Sequence, residues 1–297
     1  MRPPTVDQHT HNELGYAGRQ LAGLAWVVSW LVMNGVGVIS NSMNILGDVD
    51  RAKSGGGRVE VQKRDAEILL YLNEMGWASA EVVALKFYCE GPLGYSESKM
   101  KTAQRRLWLL KNAGFLRSFR LGRGKSFYVT TPASRKILEA FFPDIPHLKP
   151  IQHVSFQIND HTEKVHWSRL ALEFCGESLG WRSERRLKVS DIEMQKRVFD
   201  GRYQPYLPDG VYLNSAGKKC LFEYENAQKT SKQRERKLEQ INRLLEYFPK
   251  NYEQVQFVCT TDTQAQHYEN SVGSGDNYSV LSLESLLKKG GMADVWK

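Results

Sequence analysis

The chain has 297 residues, of which 41% are hydrophobic and 25% are charged; this composition excludes a wholly disordered chain and a polytopic membrane protein. At about 100 to 200 residues per domain, the length predicts two folded domains. The 41 Lys and Arg exceed the 33 Asp and Glu by a net charge of +8, which favours an anionic partner, either nucleic acid or an acidic membrane surface.

The first predicted element is an uncharged apolar segment at residues 21–39, which is just long enough to span a bilayer. Ser29, Asn34 and three glycines make it more polar than a typical span. Three interpretations therefore stay open: a membrane anchor, a helix that docks on a partner, and an upstream extension foreign to the folded protein. Residues 47–64 are rich in Gly and predict a hinge, so residues 1–55 are expected to be an appendage.

Residues 60–142 predict three helices and a β-hairpin, which is the order of a winged helix-turn-helix domain. Apolar residues at helical spacing predict a first helix over residues 64–76. A second helix starts near Ser79, and a third opens at Ser96 and ends at Gly114. Two short strands joined by a Gly-containing loop follow, and a helix over residues 132–143 closes the domain.

The basic charge is concentrated in this domain. Residues 96–136 hold eleven Lys and Arg against Glu97 alone, a net +10, so the rest of the chain sums to −2. One-sided charge over a third helix and its wing favours binding to duplex phosphates. The alternative is a protein-docking winged helix with incidental charge. The residues predicted to bind DNA are Lys99, Lys101, Arg105, Arg106, Arg123 and Lys125.

Pro143, Pro146 and Pro150 predict a linker to a second domain at residues 150–290. This domain opens with a long, mostly helical pattern over residues 151–181 that includes Glu173. An antiparallel strand pair about a short turn follows, formed by residues 198–213 and 220–227.

Acidic residues meet on this strand pair. Strand alternation points Glu223 and Glu225 to one face, opposite Phe222 and Tyr224, and a hairpin return brings Asp209 beside Glu223. Three adjacent carboxylates repel one another unless a divalent metal neutralises them, so the pattern predicts Mg²⁺ or Mn²⁺. Such a metal activates water and stabilises charge on a phosphodiester. The alternative is that Glu223 and Glu225 form the solvated face of an edge strand.

Pro208-Asp209, a spacing of fourteen residues and Glu223-Tyr224-Glu225, followed by a basic helix, resemble the PD-(D/E)XK nuclease core, with Glu225 in place of the usual Lys. The resemblance implies a mixed α/β (α+β), restriction-endonuclease-like fold. It implies Asp209 and Glu223 as metal ligands, Glu225 as a ligand or base, and Glu173 as an accessory metal ligand. Lys229 is the first candidate for the missing positive charge, with Lys232 and Lys237 as alternatives.

Over residues 60–260 the sequence resembles the replication-relaxation proteins of mobile elements, in particular the MobC-type relaxases of mobilisable plasmids. The motifs that carry this resemblance are AQRRLWLLKNAGFL, HVSFQIN with WSRLALE, PDG and EYEN. It implies a relaxase that binds double-stranded and single-stranded DNA at an origin of transfer and nicks one strand to start conjugative mobilisation. An accessory mobilisation protein or coupling protein is the further partner that it implies.

Two functions follow from these patterns. The first is a metal-dependent nicking endonuclease with Asp209, Glu223, Glu225 and Lys229 as catalytic residues. The second is a DNA-binding accessory or autoregulatory protein whose nuclease fold is inactive. The missing Lys favours the second and the retained acids favour the first, which we take as the prediction. A nearby tyrosine, among Tyr203, Tyr206, Tyr212 and Tyr224, is an alternative nucleophile, although strand aromatics more often serve packing.

The four cysteines are scattered, with no CxxC pair, which argues against a structural zinc site. Nothing in the sequence indicates an oxidising compartment, so a cytoplasmic location is predicted. Membrane association through residues 21–39 is the open alternative.

Overall fold

The structure is a computed structural model that describes residues 59–121, 125–145, 147–152, 156–199, 203–226, 229–273 and 277–295. All of these residues belong to one compact unit, Ala52–Lys297. The apolar segment at residues 21–39 and Arg123 lie outside the described residues. Within the described ranges, no helix is both long enough and apolar enough to cross a membrane.

The first half of the unit contains four helices and a small sheet. Two of the helices begin at the predicted serines, since Ser79 Oγ accepts a hydrogen bond from the Val82 N–H and Ser96 Oγ accepts one from the Lys99 N–H. The elements are α1 (Lys63–Met75), β1 (Ala78–Ser79), α2 (Ala80–Tyr88), a 3₁₀ turn (Pro92–Gly94), α3 (Glu97–Asn112), β2 (Leu116–Leu121), β3 (Lys125–Thr130) and α4 (Ser134–Phe141). The strands form an antiparallel sheet in the order β1-β3-β2. The predicted order of helices and hairpin is confirmed.

The second half is built on a five-stranded sheet in the order β4-β5-β6-β7-β8. Its elements are α5 (Phe156–Phe174), β4 (Leu179–Ser183), α6 (Glu184–Ser190), α7 (Ile192–Phe199), β5 (Gly210–Leu213), β6 (Lys219–Glu225), α8 (Ser231–Tyr247), β7 (Gln254–Cys259), α9 (Asp262–Val272), β8 (Tyr278–Ser282) and α10 (Leu283–Lys289). Strands β4, β5 and β6 pair antiparallel, whereas β6, β7 and β8 pair parallel through the crossover helices α8 and α9. The mixed α+β class is confirmed.

Two predicted element boundaries are wrong. The helical pattern over residues 151–181 ends at Phe174, and the segment after it turns into β4 at the sheet edge. The strand predicted over residues 198–213 is limited to Gly210–Leu213, because Val198 and Phe199 end α7 instead. The antiparallel pairing of β5 with β6 is as predicted.

The sheet separates two apolar layers. Cys220, Phe222 and Tyr224 point into a core shared with α1, α2, α5 and α10. Leu221 points to the opposite face, which packs under α8 and α9. This alternation was predicted from KCLFEYE, and it places Glu223 and Glu225 on the side covered by α8.

Candidate functional site

The three predicted acids meet at one end of β5 and β6, and we call Asp209, Glu223 and Glu225 the acidic cluster. Gly210 pairs with Phe222, so Asp209 lies opposite Glu223, and Asp209 Oδ2 accepts a hydrogen bond from the Tyr224 N–H at 2.8 Å. A Cβ atom at residue 210 would lie 2.4 Å from the Trp181 ring, so glycine allows the close approach of β4 at this point.

The two glutamates of the acidic cluster are buried. Glu223 and Glu225 are 3% and 2% exposed, and β6 has a hydrogen-bonded neighbour on each side. The interpretation of these glutamates as the solvated face of an edge strand is therefore wrong. Buried carboxylates need partners, because an unpaired charge in the protein interior is strongly unfavourable.

Two lysines supply positive charge to the acidic cluster. Lys237 of α8 donates to Glu223 Oε2 at 2.6 Å and also contacts Glu225 Oε1. Lys229 donates to Glu225 Oε2 at 2.5 Å. Lys229 was the first candidate for this role, but Lys237 is the lysine that contacts two of the carboxylates.

The remaining oxygens bond to Tyr206, which was predicted only as one of four alternative nucleophiles, and to His161, for which no role was predicted. The Tyr206 hydroxyl donates to Glu223 Oε1 at 2.6 Å, and His161 Nε2 lies 2.9 Å from Asp209 Oδ1. Gln195 fixes Tyr206 through two 2.8 Å hydrogen bonds to its main chain. Of the four tyrosines considered as nucleophiles, Tyr206 is the one whose hydroxyl bonds to an acid of the cluster, since Tyr224 bonds to Asp209 through its main chain.

Burial and these contacts raise the pKa of Glu223 and His161 and lower that of Asp209. Burial raises the pKa of the Glu223 carboxyl to about 7, against the opposing effect of Lys237. Burial alone would also raise the pKa of Asp209, but the hydrogen bond from His161 and the charges of His161 and Lys237 bring that pKa below its usual value. For His161, burial is outweighed by Asp209, and the pKa of the imidazole rises.

A divalent ion needs several oxygen donors around one point. Each of the six oxygens of the acidic cluster already accepts a hydrogen bond, and the Lys237 ammonium lies between Glu223 and Glu225. Among the described residues, no group of three or more His, Cys, Asp or Glu side chains is arranged to hold a metal ion. In this arrangement the acidic cluster does not fit Mg²⁺ or Mn²⁺.

The fourth predicted metal ligand, Glu173, does not reach the acidic cluster. It follows His161 by twelve residues on α5, which is about 18 Å along the helix axis. Glu173 instead accepts hydrogen bonds from Lys86 at 2.5 Å and Arg169 at 2.9 Å. Burial would raise the pKa of Glu173, but these two cations lower it to about 2. Glu173 therefore belongs to a separate, partly buried ionic network.

The second candidate region is the exposed side of α3. Lys99, Lys101, Arg105 and Lys111 are all exposed on this helix. Lys101 and Arg105 lie together on its outward side, whereas Lys99 and Lys111 flank the inward stripe. We call these four residues the basic face. Lys101 pairs with Glu97 at 2.7 Å, whereas the other three form no ion pair with any residue in the described ranges. Lys125 of β3 is half exposed and lies 3.4 Å from Glu163 and 3.8 Å from Glu81.

Arg106 does not lie on the basic face, in disagreement with the prediction. Its guanidinium donates to both oxygens of Asp65, one of them at 2.7 Å, and to the Glu60 carbonyl at 2.6 Å. Asp65 is 1% exposed and lies in the first turn of α1. Its ion pair with Arg106 therefore links α3 to the start of α1. Position 106 borders the inward stripe formed by Ala103, Leu107 and Leu110, and this spacing is the signal that predicts its inward direction.

Comparison of the chain with protein-family models, with curated proteins and with solved structures finds no match.

Proposed function

We propose that this chain is a DNA-binding protein that holds duplex DNA with α3 and the β2–β3 hairpin. The observation that carries the proposal is the basic face, which presents four cations to solvent with Glu97 as its single acidic neighbour on that stretch of helix. The order of helices and strands and the sheet order β1-β3-β2 support a winged helix, in which the third helix enters the major groove. The resemblance of residues 60–260 to MobC-type relaxases implies that this DNA is an origin of transfer of a mobilisable plasmid.

The test measures binding of the full chain to a DNA duplex as salt is raised from about 50 to 200 mM. We expect the affinity to fall steeply, because phosphate contacts release counterions. Arg105→Ala should weaken binding and flatten this salt dependence by about one unit of slope. Lys250→Ala removes one exposed charge after α8 and is the matched control. Equal effects of the two substitutions would contradict the proposed interface.

Strand cleavage at the acidic cluster is a second candidate function. It is favoured by the convergence of Asp209, Glu223 and Glu225 with Lys237 at the end of adjacent strands, an arrangement consistent with a PD-(D/E)XK core whose lysine comes from the following helix. A Glu223 carboxylate with a pKa of about 7 serves as the general base near neutral pH: it takes the proton of an attacking water as the water oxygen bonds to phosphorus and the sugar oxygen of the scissile bond leaves. The Lys237 ammonium beside it stabilises negative charge on a phosphodiester.

A nicking assay separates the two functions. The full chain is incubated with a supercoiled plasmid that carries the cognate origin, with Mg²⁺, with Mn²⁺ and with chelator. Cleavage predicts open circles, and Glu223→Gln is expected to abolish them while duplex binding stays unchanged. Glu235→Gln, an exposed acid on α8, is the control. Absence of open circles under all three conditions would refute cleavage and leave an accessory or autoregulatory DNA-binding protein.

A further inference from the structure

An exposed tryptophan lies beside the basic face. Trp108 of α3 is 56% exposed, whereas Trp77, Trp167 and Trp181 are nearly completely buried. On a helix, residues 101, 104, 105 and 108 lie on one side, so the indole continues the row that begins with Lys101 and Arg105. A large apolar ring held in water is unfavourable, and its position among cations suggests a ligand rather than a core contact.

Trp108 borders an open cleft of about 480 Å³ between α3, the start of α2 and β3. The cleft has apolar surface from Met100, Trp108 and Tyr128. Its charged residues are three cations, Lys101, Arg105 and Lys125, and one acid, Glu81. The volume is in the range of small-ligand sites, so the cleft has room for a nucleotide.

This combination selects among ligands by chemistry. An apolar peptide would provide no negative charge to pair with the three cations, and a simple anion would provide no apolar surface to cover the exposed indole. A nucleotide uses both, because its base stacks on an aromatic ring and its phosphate pairs with Lys or Arg. In an intact duplex the faces of each base are covered by neighbouring base pairs, so the base that stacks must be unpaired.

We propose that the cleft beside Trp108 binds an unpaired base of DNA, with Arg105 and Lys101 at the adjoining phosphates. The Gln104 amide, which also borders the cleft, is positioned on the same side to bond to a base edge. The inference rests on the proposed DNA binding and narrows its substrate to DNA with a locally melted or single-stranded site. A site of this kind is also what a protein that acts on one strand requires.

The experiment compares two DNAs of the same sequence, a fully paired duplex and a duplex with a three-nucleotide bubble. The full wild-type chain is expected to bind the bubble about tenfold more tightly, which is the size of one base–aromatic stack. Trp108→Ala should remove this preference and change binding to the paired duplex less than about threefold. Trp108→Phe should retain most of the preference, since it keeps an aromatic ring at an exposed position.

A second readout follows the indole directly. Bubble DNA should quench part of the tryptophan fluorescence of the wild-type chain, and this part should be missing in Trp108→Phe. Leu93→Ala, which removes a fully exposed apolar side chain from the turn before α3, is the control and should keep both the preference and the quenching.

Three results would overturn the inference: no preference for the bubble in the wild-type chain, an equal loss of affinity for both DNAs in Trp108→Ala, or no loss for either. In each of these cases the wild-type chain still binds the paired duplex, so the proposed DNA binding is not refuted. A wild-type chain that binds neither DNA would refute both proposals.

Discussion

At the scale of single residues, Lys237 holds the acidic cluster together. Its ammonium contacts Glu223 and Glu225, both of which are buried under α8. Two buried carboxylates without a cation would carry uncompensated charge in the protein interior, which is costly. Lys229 contacts Glu225 alone and is more exposed, so it compensates less of this charge.

We expect Lys237→Met to lower the free energy of unfolding by about 3 to 5 kcal/mol, because the buried Glu223 loses its lysine partner and Glu225 keeps Lys229 alone. Urea denaturation measures this loss. Lys232→Met, an exposed position on the same helix, should change stability by no more than about 0.5 kcal/mol. Similar losses in the two variants would mean that the acidic cluster does not depend on Lys237.

The pKa of Glu223 predicts a pH dependence of stability. The folded-state pKa is about 7 and the ordinary value is 4.5, so folding takes up a proton between these values and wild-type stability falls as the pH rises through this window. Glu223→Gln keeps the shape and removes the titration. Its stability relative to wild type should rise by on the order of 3 kcal/mol from pH 4.5 to 8, at about 1.36 kcal/mol per pKa unit.

Urea denaturation across this pH range provides the test, with Glu246→Gln as an exposed control on α8. The control should differ from wild type by the same amount at every pH. A constant difference for Glu223→Gln as well would show that the Glu223 carboxyl titrates in its ordinary range.

Residue patterns predicted part of this site. The alternation along KCLFEYE and the position of the Pro-Asp pair predicted that Asp209, Glu223 and Glu225 lie close together, since strand geometry determines which side chains share a face and which residues lie opposite one another. Lys237 was predicted only as an alternative to Lys229 for the missing positive charge, because its contact with Glu223 and Glu225 depends on how the crossover helix α8 packs on the sheet. Its spacing with Ile241 and Leu244 at i+4 and i+7 is the signal of an inward side chain. His161 and Tyr206 reach the acids only through tertiary structure.

At the scale of elements, α3 has two distinct sides. Its inward side carries the buried residues Ala103, Leu107 and Leu110. Arg106 lies at the border of this side and pairs with Asp65. The exposed part of the helix carries the basic face. The adjacent arginines are therefore placed differently: Arg105 is exposed to solvent, whereas Arg106 pairs with the buried Asp65 of α1.

We expect Arg106→Ala to destabilise the protein by about 3 kcal/mol, since it leaves the buried Asp65 carboxylate without its cation. Arg105→Ala should change stability by no more than about 0.5 kcal/mol while weakening DNA binding. Thermal denaturation of both variants, beside the binding assay, checks the contrast. If Arg105→Ala destabilised the protein as much as Arg106→Ala, the assignment of the two sides would be incorrect.

The elements that were predicted correctly are those with strong local signals. Serine caps and apolar spacing define α2 and α3, and the Gly-containing loop defines the β2–β3 hairpin. The short elements β4, α6 and α7 were missed, because tertiary contacts decide them. Arg186 of α6, for example, pairs at 3.0 Å with Glu74 of α1, which is distant in sequence. No local pattern carries that information.

At the scale of the whole molecule, buried polar contacts join the two halves. The Tyr71 hydroxyl lies 2.7 Å from His166 Nδ1, and Lys86 donates to Glu173 at 2.5 Å. Asn73 forms two hydrogen bonds, of 2.8 and 2.9 Å, with the main chain of Leu148. The segment around Leu148, predicted as a linker from its prolines, is thus bonded to α1. Composition indicates a boundary there, but composition does not report contacts between residues so far apart in sequence.

These contacts predict that the two halves unfold together. The apolar core includes residues of α1, α2, α5 and β6, so separating the halves would expose apolar surface and leave Tyr71, Asn73 and Lys86 without partners. We expect one urea transition for the full chain, coincident by far-UV circular dichroism and by tryptophan fluorescence. A fragment of residues 59–145 should show no cooperative transition. Two separate transitions in the full chain, or cooperative unfolding of the fragment at its full-chain midpoint, would instead mean that residues 60–142 fold independently and that α5 docks on a finished domain.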